Sequence, residues 1–109
     1  MASEAPNLQT QYAHIVHTAS VLGGEARIDG HRIRVRDIVA ARDAGGLSPE
    51  EIAATVYPSL TLGQVYSALA YYEDHREEID KATAHEAAFL EEFSRQHPEL
   101  VRDFRARKG

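Results

Sequence analysis

Two helix starts of the same design, thirteen residues apart, constrain this chain more than any other feature of its sequence. Ser48 is followed by Pro49 and, at the third position, by Glu51, while Thr61 is followed at the third position by Gln64. In such a capping box the two side chains each bond the other residue's backbone N–H, and proline suits the first helical position. The sequence therefore predicts helices that begin after Ser48 and after Thr61.

The segment between these starts predicts a turn. The residue before a proline is driven out of the α region, so the first of the two helices should end at Tyr57-Pro58. Two short helices joined by about four residues are typical of a helix-turn-helix unit. Six apolar residues have the spacing needed for the helices to pack on each other. They are Ile52, Ala53, Val56, Val65, Ala68 and Leu69.

Upstream of the helices the sequence predicts strands. Residues 12–22, YAHIVHTASVL, are rich in β-branched and aromatic residues, which favours a strand ending at Gly23-Gly24. Residues 26–36 predict a hairpin that turns at Asp29-Gly30, a dipeptide suited to a tight primed turn. Alternate residues of a strand share a face, so we expect the outer face of the second arm to carry three arginines. These are Arg32, Arg34 and Arg36.

The remaining segments predict helices. Residues 35–44 have a helical apolar spacing and end at Gly45-Gly46, a natural C-cap. The helix after Thr61 meets no proline until Pro98, although the charged run EDHREEID at residues 73–80 indicates either a surface or a break. Residues 98–109 could form one more amphipathic helix. We expect a mainly α fold: a three-helix helix-turn-helix domain with short N-terminal β-strands or a hairpin and a C-terminal helical extension. The corresponding boundaries are 1–23, 24–78 and 79–109.

The charges of the chain are segregated, although the net charge is −5. Residues 25–43 hold five arginines against four acids, residues 48–92 hold ten acids and two basic residues, and residues 93–109 return to a net of +3. Local charge decides which face meets a phosphate backbone.

Cysteine is absent, and we find neither a signal-peptide pattern nor an apolar run of about 20 residues. We therefore expect a cytoplasmic protein with no membrane contact.

The chain resembles the DUF433 family over about half of its length. The resemblance lies in GEARIDGHRIRV from Gly24, Gly46-Leu47-Ser48, YPSLT from Tyr57 and VYSALAYY from Val65. The chain departs from the family pattern at Ala26, His31 and Arg34. The resemblance implies a three-helical helix-turn-helix domain preceded by short strands. It also implies an antitoxin of a type II toxin–antitoxin pair, whose toxin is a PIN-like ribonuclease.

Binding of operator DNA is one hypothesis for the helix-turn-helix. Its second helix would enter the major groove through Thr61, Gln64 and Ser67, but residues 61–72 contain no lysine or arginine. Because affinity for DNA needs positive charge, the three hairpin arginines would have to bind the phosphates. Alternatively, these arginines pair with the acidic helices of this chain or of a second copy.

The C-terminal half offers a second hypothesis, that of binding to a toxin. The acidic residues 73–80 form either a solvated helix face or a surface that docks on a basic partner. The apolar residues beyond position 84 lie either in a partner's groove or on the chain's own core. The residues that we assign to toxin binding are Phe89, Leu90, Phe93, Leu100, Phe104 and Arg105.

Catalytic and metal-binding patterns are missing from the sequence. We find no phosphate-binding glycine loop, no nucleophile elbow and no recognised spacing of metal ligands, so we expect no enzyme activity, cofactor or metal. The favoured interpretation is a homodimeric antitoxin that neutralises a PIN-like ribonuclease and represses its own operon. The alternatives are a stand-alone transcriptional regulator without a toxin and a structural adaptor whose helix-turn-helix only packs.

Overall fold

The structure, a computed structural model, describes residues 7–100. Within that part, three short antiparallel strands come first, in the order β1 (Leu8–Gln9), β2 (Ile15–His17) and β3 (Arg27–Ile28). The helices are α1 (Val35–Asp43), α2 (Pro49–Glu51, continued by a π-helical turn over Ile52–Val56), α3 (Leu62–Asp74) and α4 (Arg76–Gln96). The expected mainly α fold with N-terminal strands and a C-terminal helix is confirmed.

Both capping boxes form as predicted. The Ser48 hydroxyl accepts a hydrogen bond from Glu51 N at 3.1 Å, and Glu51 Oε1 accepts one from Ser48 N at 2.8 Å. Thr61 Oγ1 accepts from Gln64 N at 3.2 Å, and Gln64 Oε1 accepts from Thr61 N at 2.8 Å. Each helix start thus satisfies two backbone N–H groups that would otherwise have no partner within the helix.

The turn between the two helices also lies where Tyr57-Pro58 predicts it. Tyr57 leaves the helical region at φ −127°, ψ 70°, and its carbonyl accepts from Leu60 N at 2.9 Å. The expected packing residues are buried or half-buried, with one exception. Val56 is 40% exposed, because the π-helical turn that ends at this residue alters the helical spacing.

The predicted strand over residues 12–22 is wrong except at Ile15–His17. Ile15 N donates to Tyr12 O at 3.2 Å and His14 has a positive φ of 69°, so the chain turns immediately before β2. A second turn follows, in which Val21 N donates to Thr18 O at 2.9 Å. These local turns prevent the β-rich sequence from extending as one strand.

The hairpin over residues 26–36 is shorter than predicted. The turn at Asp29-Gly30 forms, with Gly30 at φ 83° and Ile28 N donating to Ile33 O at 2.9 Å. The second arm is reduced to one bridge between Arg27 and Arg34, because α1 begins at Val35. The expectation that one strand face carries all three arginines is therefore wrong, since Arg36 is helical.

The chain divides into two compact units, one ending at Ile79 and one starting at Asp80. The hydrophobic core lies in the first unit, where β2, β3, α1, α3 and the π-helical turn contribute buried side chains. Its members are Ile15, Ala26, Ile28, Val35, Ile38, Val39, Ile52, Leu60, Val65, Ala68, Leu69, Tyr71, Tyr72 and Ile79. α3 ends at Asp74 and His75 is its C-cap, so the charged run at 73–80 does contain a helix break.

The helix predicted over residues 98–109 lies mostly outside the described residues. Residues 98–100 are helical, and Leu100 N donates to His97 O at 3.2 Å.

Candidate functional site

The predicted DNA-contacting arginines differ in their surroundings. Arg32 is exposed and makes no ion pair or hydrogen bond within residues 7–100. Arg34 binds Asp37 with two parallel bonds, Nε to Oδ2 at 3.0 Å and Nη2 to Oδ1 at 2.9 Å. These bonds raise the pKa of Arg34, and Asp37 also accepts from Arg34 N at 2.9 Å, which caps α1.

Glu25 pairs with the guanidinium group of Arg36 and also lies close to that of Arg34. It accepts from Arg36 Nε at 2.7 Å and from Arg36 Nη2 at 3.1 Å, and it lies 3.7 Å from Arg34 Nη1. The side chain of Arg36 is only 9% exposed. Arg34 and Arg36 therefore pair with acids of their own chain. Their partners are Glu25 and Asp37, which lie upstream of the acidic segment 48–92, and not the acidic helices that the alternative interpretation named.

The residues predicted to read bases lie at the start of α3. The side chains of Thr61 and Gln64 bond each other's backbone in the capping box, and Ser67 is half-buried. The exposed apolar side chains of this region are Leu62 and Tyr66.

The neighbourhood of Tyr66 is acidic. Its hydroxyl donates to Glu50 Oε2 at 3.0 Å, and this hydrogen bond raises the pKa of Tyr66. The exposed apolar side chains of α3, and the Glu50 carboxylate of α2 beside Tyr66, do not attract phosphate.

The predicted toxin-binding residues are strongly exposed where the structure describes them. Phe89 is 63% exposed, Leu90 54% and Phe93 37%, and Leu100 is also exposed. The ring centroids of Phe89 and Phe93 lie 6.5 Å apart, and Phe93 contacts the ring of His97 at 4.7 Å. Phe104 and Arg105 lie outside the described residues.

A polar cavity of about 530 Å³ next to β1, β2 and the end of α3 was not predicted from the sequence. The ring of Tyr71 stacks on His75 with centroids 4.0 Å apart, and its hydroxyl lies 3.2 Å from His17 Nε2. The hydroxyl of Tyr12 donates to Asp74. The partners are 54 and 62 residues apart in the chain, so no local motif indicates them.

No group of three or more His, Asp or Glu side chains within residues 7–100 is placed to hold a metal ion. In the same part of the chain, no helix combines the length and the apolar character needed to cross a bilayer.

Comparison with known proteins identifies the family. The family described as "Protein of unknown function (DUF433)" matches residues 15–72. The crystal structure of a DUF433 member protein from Anabaena variabilis ATCC 29413 is similar, with 41% sequence identity, a TM-score of 0.59 and coverage of 65% of this chain and 68% of that chain. No curated protein matches the chain. The chain therefore belongs to the DUF433 family.

Proposed function

We propose that this protein is the antitoxin of a type II toxin–antitoxin pair and that it neutralises a PIN-like ribonuclease. The exposed apolar side chains of α4 are the observation that supports it best. Phe89, Leu90 and Phe93 recur at a helical spacing and leave large apolar areas in water. Apolar anchors of this kind on one helix are typical of helices that lie in the groove of a partner protein.

The charge of α4 favours a basic partner. The helix contains six acidic and three basic residues, and Arg95 is already engaged by Glu91 at 3.8 Å and by Glu92. A ribonuclease must attract the phosphates of RNA, so its substrate groove is positively charged. An acidic helix with aromatic anchors would be attracted to such a groove and would block it.

Affinity purification of the full-length tagged chain from its native host, after nuclease treatment, tests this function. We expect a ribonuclease-like protein to co-purify in stoichiometric amount and to be inhibited by the chain. The double variant F89A/F93A should lose at least about tenfold in affinity for it, because truncated aromatic anchors often cost 2 kcal/mol or more. Leu8→Ala, which removes another exposed apolar side chain, serves as the matched control.

Two outcomes would contradict the proposal that the protein is an antitoxin. One is that no ribonuclease-like protein co-purifies. The other is that F89A/F93A retains the full affinity of the unmodified chain.

Operator DNA is a second candidate ligand, through which the antitoxin would repress its own operon. Arg32 supports it, since this exposed guanidinium has no partner among residues 7–100. A homodimer would place two such arginines on the two halves of a palindromic operator. We expect Arg32→Glu to weaken binding to the upstream operator fragment, with lower salt dependence, while ribonuclease inhibition stays intact.

Light scattering combined with gel filtration measures the molar mass and so tests whether the protein is a dimer. If specific DNA binding is found and no toxin is, the protein is instead a stand-alone transcriptional regulator. Both roles would place the chain in the cytoplasm.

A further inference from the structure

Arg27, in β3, is a buried cation without a carboxylate partner among residues 7–100. Its residue is only 7% exposed, and it forms no ion pair within residues 7–100. The guanidinium is protonated at any physiological pH. Buried charges in proteins are ordinarily paired, because removal of an ion from water is costly. A positive charge at this position therefore requires an explanation.

The groups within residues 7–100 that accept hydrogen bonds from Arg27 are all neutral. Its Nη1 donates to the carbonyl oxygens of His31 at 2.9 Å and Ile28 at 3.3 Å, and its Nη2 donates to Thr18 Oγ1 at 2.8 Å and Asn7 Oδ1 at 3.4 Å. The buried Nε has no hydrogen-bond partner within residues 7–100. These bonds hold the guanidinium in place, but no carboxylate of this part of the chain binds it directly.

A cavity of about 470 Å³ borders this guanidinium. Its lining includes the hydroxyl-bearing residues Thr18 and Ser20, together with Asn7 and Gly30. The side chain of Asn7 is exposed at the cavity, and its Oδ1 accepts both from Thr18 at 2.5 Å and from Arg27. One neutral oxygen therefore sits where the two donors converge, which is the position that an anionic oxygen would favour.

We propose that this cavity binds a small oxyanion, a phosphate or carboxylate group, whose oxygen replaces that of Asn7 at Arg27 and Thr18. The exchange is inexpensive because Asn7 is exposed and can be solvated after it moves. The carboxylate of Asp29 lowers the affinity of the cavity for an anion. This carboxylate also lines the cavity and accepts from Asn7 Nδ2 at 3.3 Å, so it repels an incoming anion. The site is independent of α4 and of the proposed toxin.

Two-dimensional amide NMR of the full-length protein tests the site, with inorganic phosphate and acetate as probes. Each is titrated against sodium chloride at constant ionic strength. We expect saturable shifts, with a dissociation constant on the order of 1 mM, at the amides of Thr18, Ser20, Asp29 and Gly30. The probe that binds more tightly identifies the class of oxyanion. Chloride alone should produce no saturable shift.

Three variants separate this binding from nonspecific effects of charge. Arg27→Met should abolish the saturable shifts, and Thr18→Val should weaken binding about tenfold, the cost of one hydrogen bond to a charged group. Asp29→Asn, an exposed change that leaves the core intact, should tighten binding about two- to fivefold by removing the like charge.

The proposal is overturned if neither probe gives saturable shifts in the unmodified protein. It is also overturned if Arg27→Met binds as well as that protein, or if Asp29→Asn does not tighten binding.

Discussion

The hydroxyl of Tyr71 donates to the carboxylate of Glu78, whose two oxygens lie 3.2 and 3.1 Å away. This bond connects α3 to the first turn of α4 inside the unit that ends at Ile79. The ring of Tyr71 is 3% exposed, so burial and the adjacent Glu78 carboxylate raise the pKa of its phenol well above the ordinary 10.0. Tyr71 is consequently neutral and acts as a donor over the whole physiological range.

The raised pKa of Tyr71 predicts that the protein loses stability at alkaline pH. A raised pKa in the folded state means that the neutral phenol stabilises the fold fully below pH 10 and less as the pH rises above 10. Tyr71→Phe should lower the free energy of unfolding by about 1 kcal/mol at pH 7, and this difference should shrink between pH 10 and 11.5. Urea unfolding at fixed pH values measures both quantities.

Tyr66→Phe is the matched control for this measurement, because Tyr66 is largely exposed and also bonds a glutamate. The pKa of Tyr66 is raised as well, but water screens its bond to Glu50, so the effect of Tyr66→Phe should change less steeply with pH than that of Tyr71→Phe. If the stability curves of Tyr71→Phe and the unmodified protein stay parallel up to pH 11.5, the assignment to Tyr71 is wrong.

The two capping boxes should contribute separately to stability. Ser48→Ala and Thr61→Ala each remove a side-chain acceptor for a backbone N–H at a helix start. We expect each to lower the free energy of unfolding by about 1 kcal/mol, measured by urea denaturation. Ser59→Ala, a change at an exposed turn residue between the boxes, should alter it by less than about 0.5 kcal/mol. Equal effects of all three substitutions would argue against a capping contribution.

Removal of the negative charge of Glu25 should increase the affinity of the protein for DNA. Glu25→Gln removes the carboxylate that binds Arg36 and that lies 3.7 Å from Arg34, while Arg34 keeps its pair with Asp37. We expect tighter binding to a DNA duplex, and a plot of log affinity against log salt that is steeper by about 0.9 for each arginine that reaches a phosphate. Fluorescence anisotropy at several salt concentrations measures this slope.

Glu51→Gln is the control for Glu25→Gln, since it makes the same change of charge and glutamine still completes a capping box. An equal gain in DNA affinity for both variants would mean that only net charge matters. No gain for Glu25→Gln would remove Arg34 and Arg36 from the candidate DNA interface.

Substitutions at the two ends of the π-helical turn should differ in how much they lower the free energy of unfolding. Ile52 is fully buried at its start, whereas Val56 at its end is 40% exposed. Ile52→Val should cost about 1 kcal/mol, and Val56→Ala less than about 0.5 kcal/mol. Thermal unfolding monitored by circular dichroism compares them. A larger cost for Val56→Ala would show that this residue is covered in solution, for instance by a second copy.

Local signals predicted most of the fold. The capping boxes, the Tyr57-Pro58 turn and the glycines after α1 depend on residues within about four positions of one another, so their geometry follows from the chain itself. The strands were predicted less well. β-propensity reflects the packing of neighbouring strands, and at residues 12–22 two local turns overrode it.

The sequence by itself determined where α2 and α3 begin, where the turn at Tyr57-Pro58 lies and which charges the protein carries. Only the tertiary structure decided what those charges do. Glu25 pairs with Arg36 from 11 positions away, the hydroxyl of Tyr71 contacts His17 across 54 positions, and the buried Arg27 donates to neutral acceptors. The physical reason is that a side chain's partner is set by the packing of distant elements, which a local pattern does not encode.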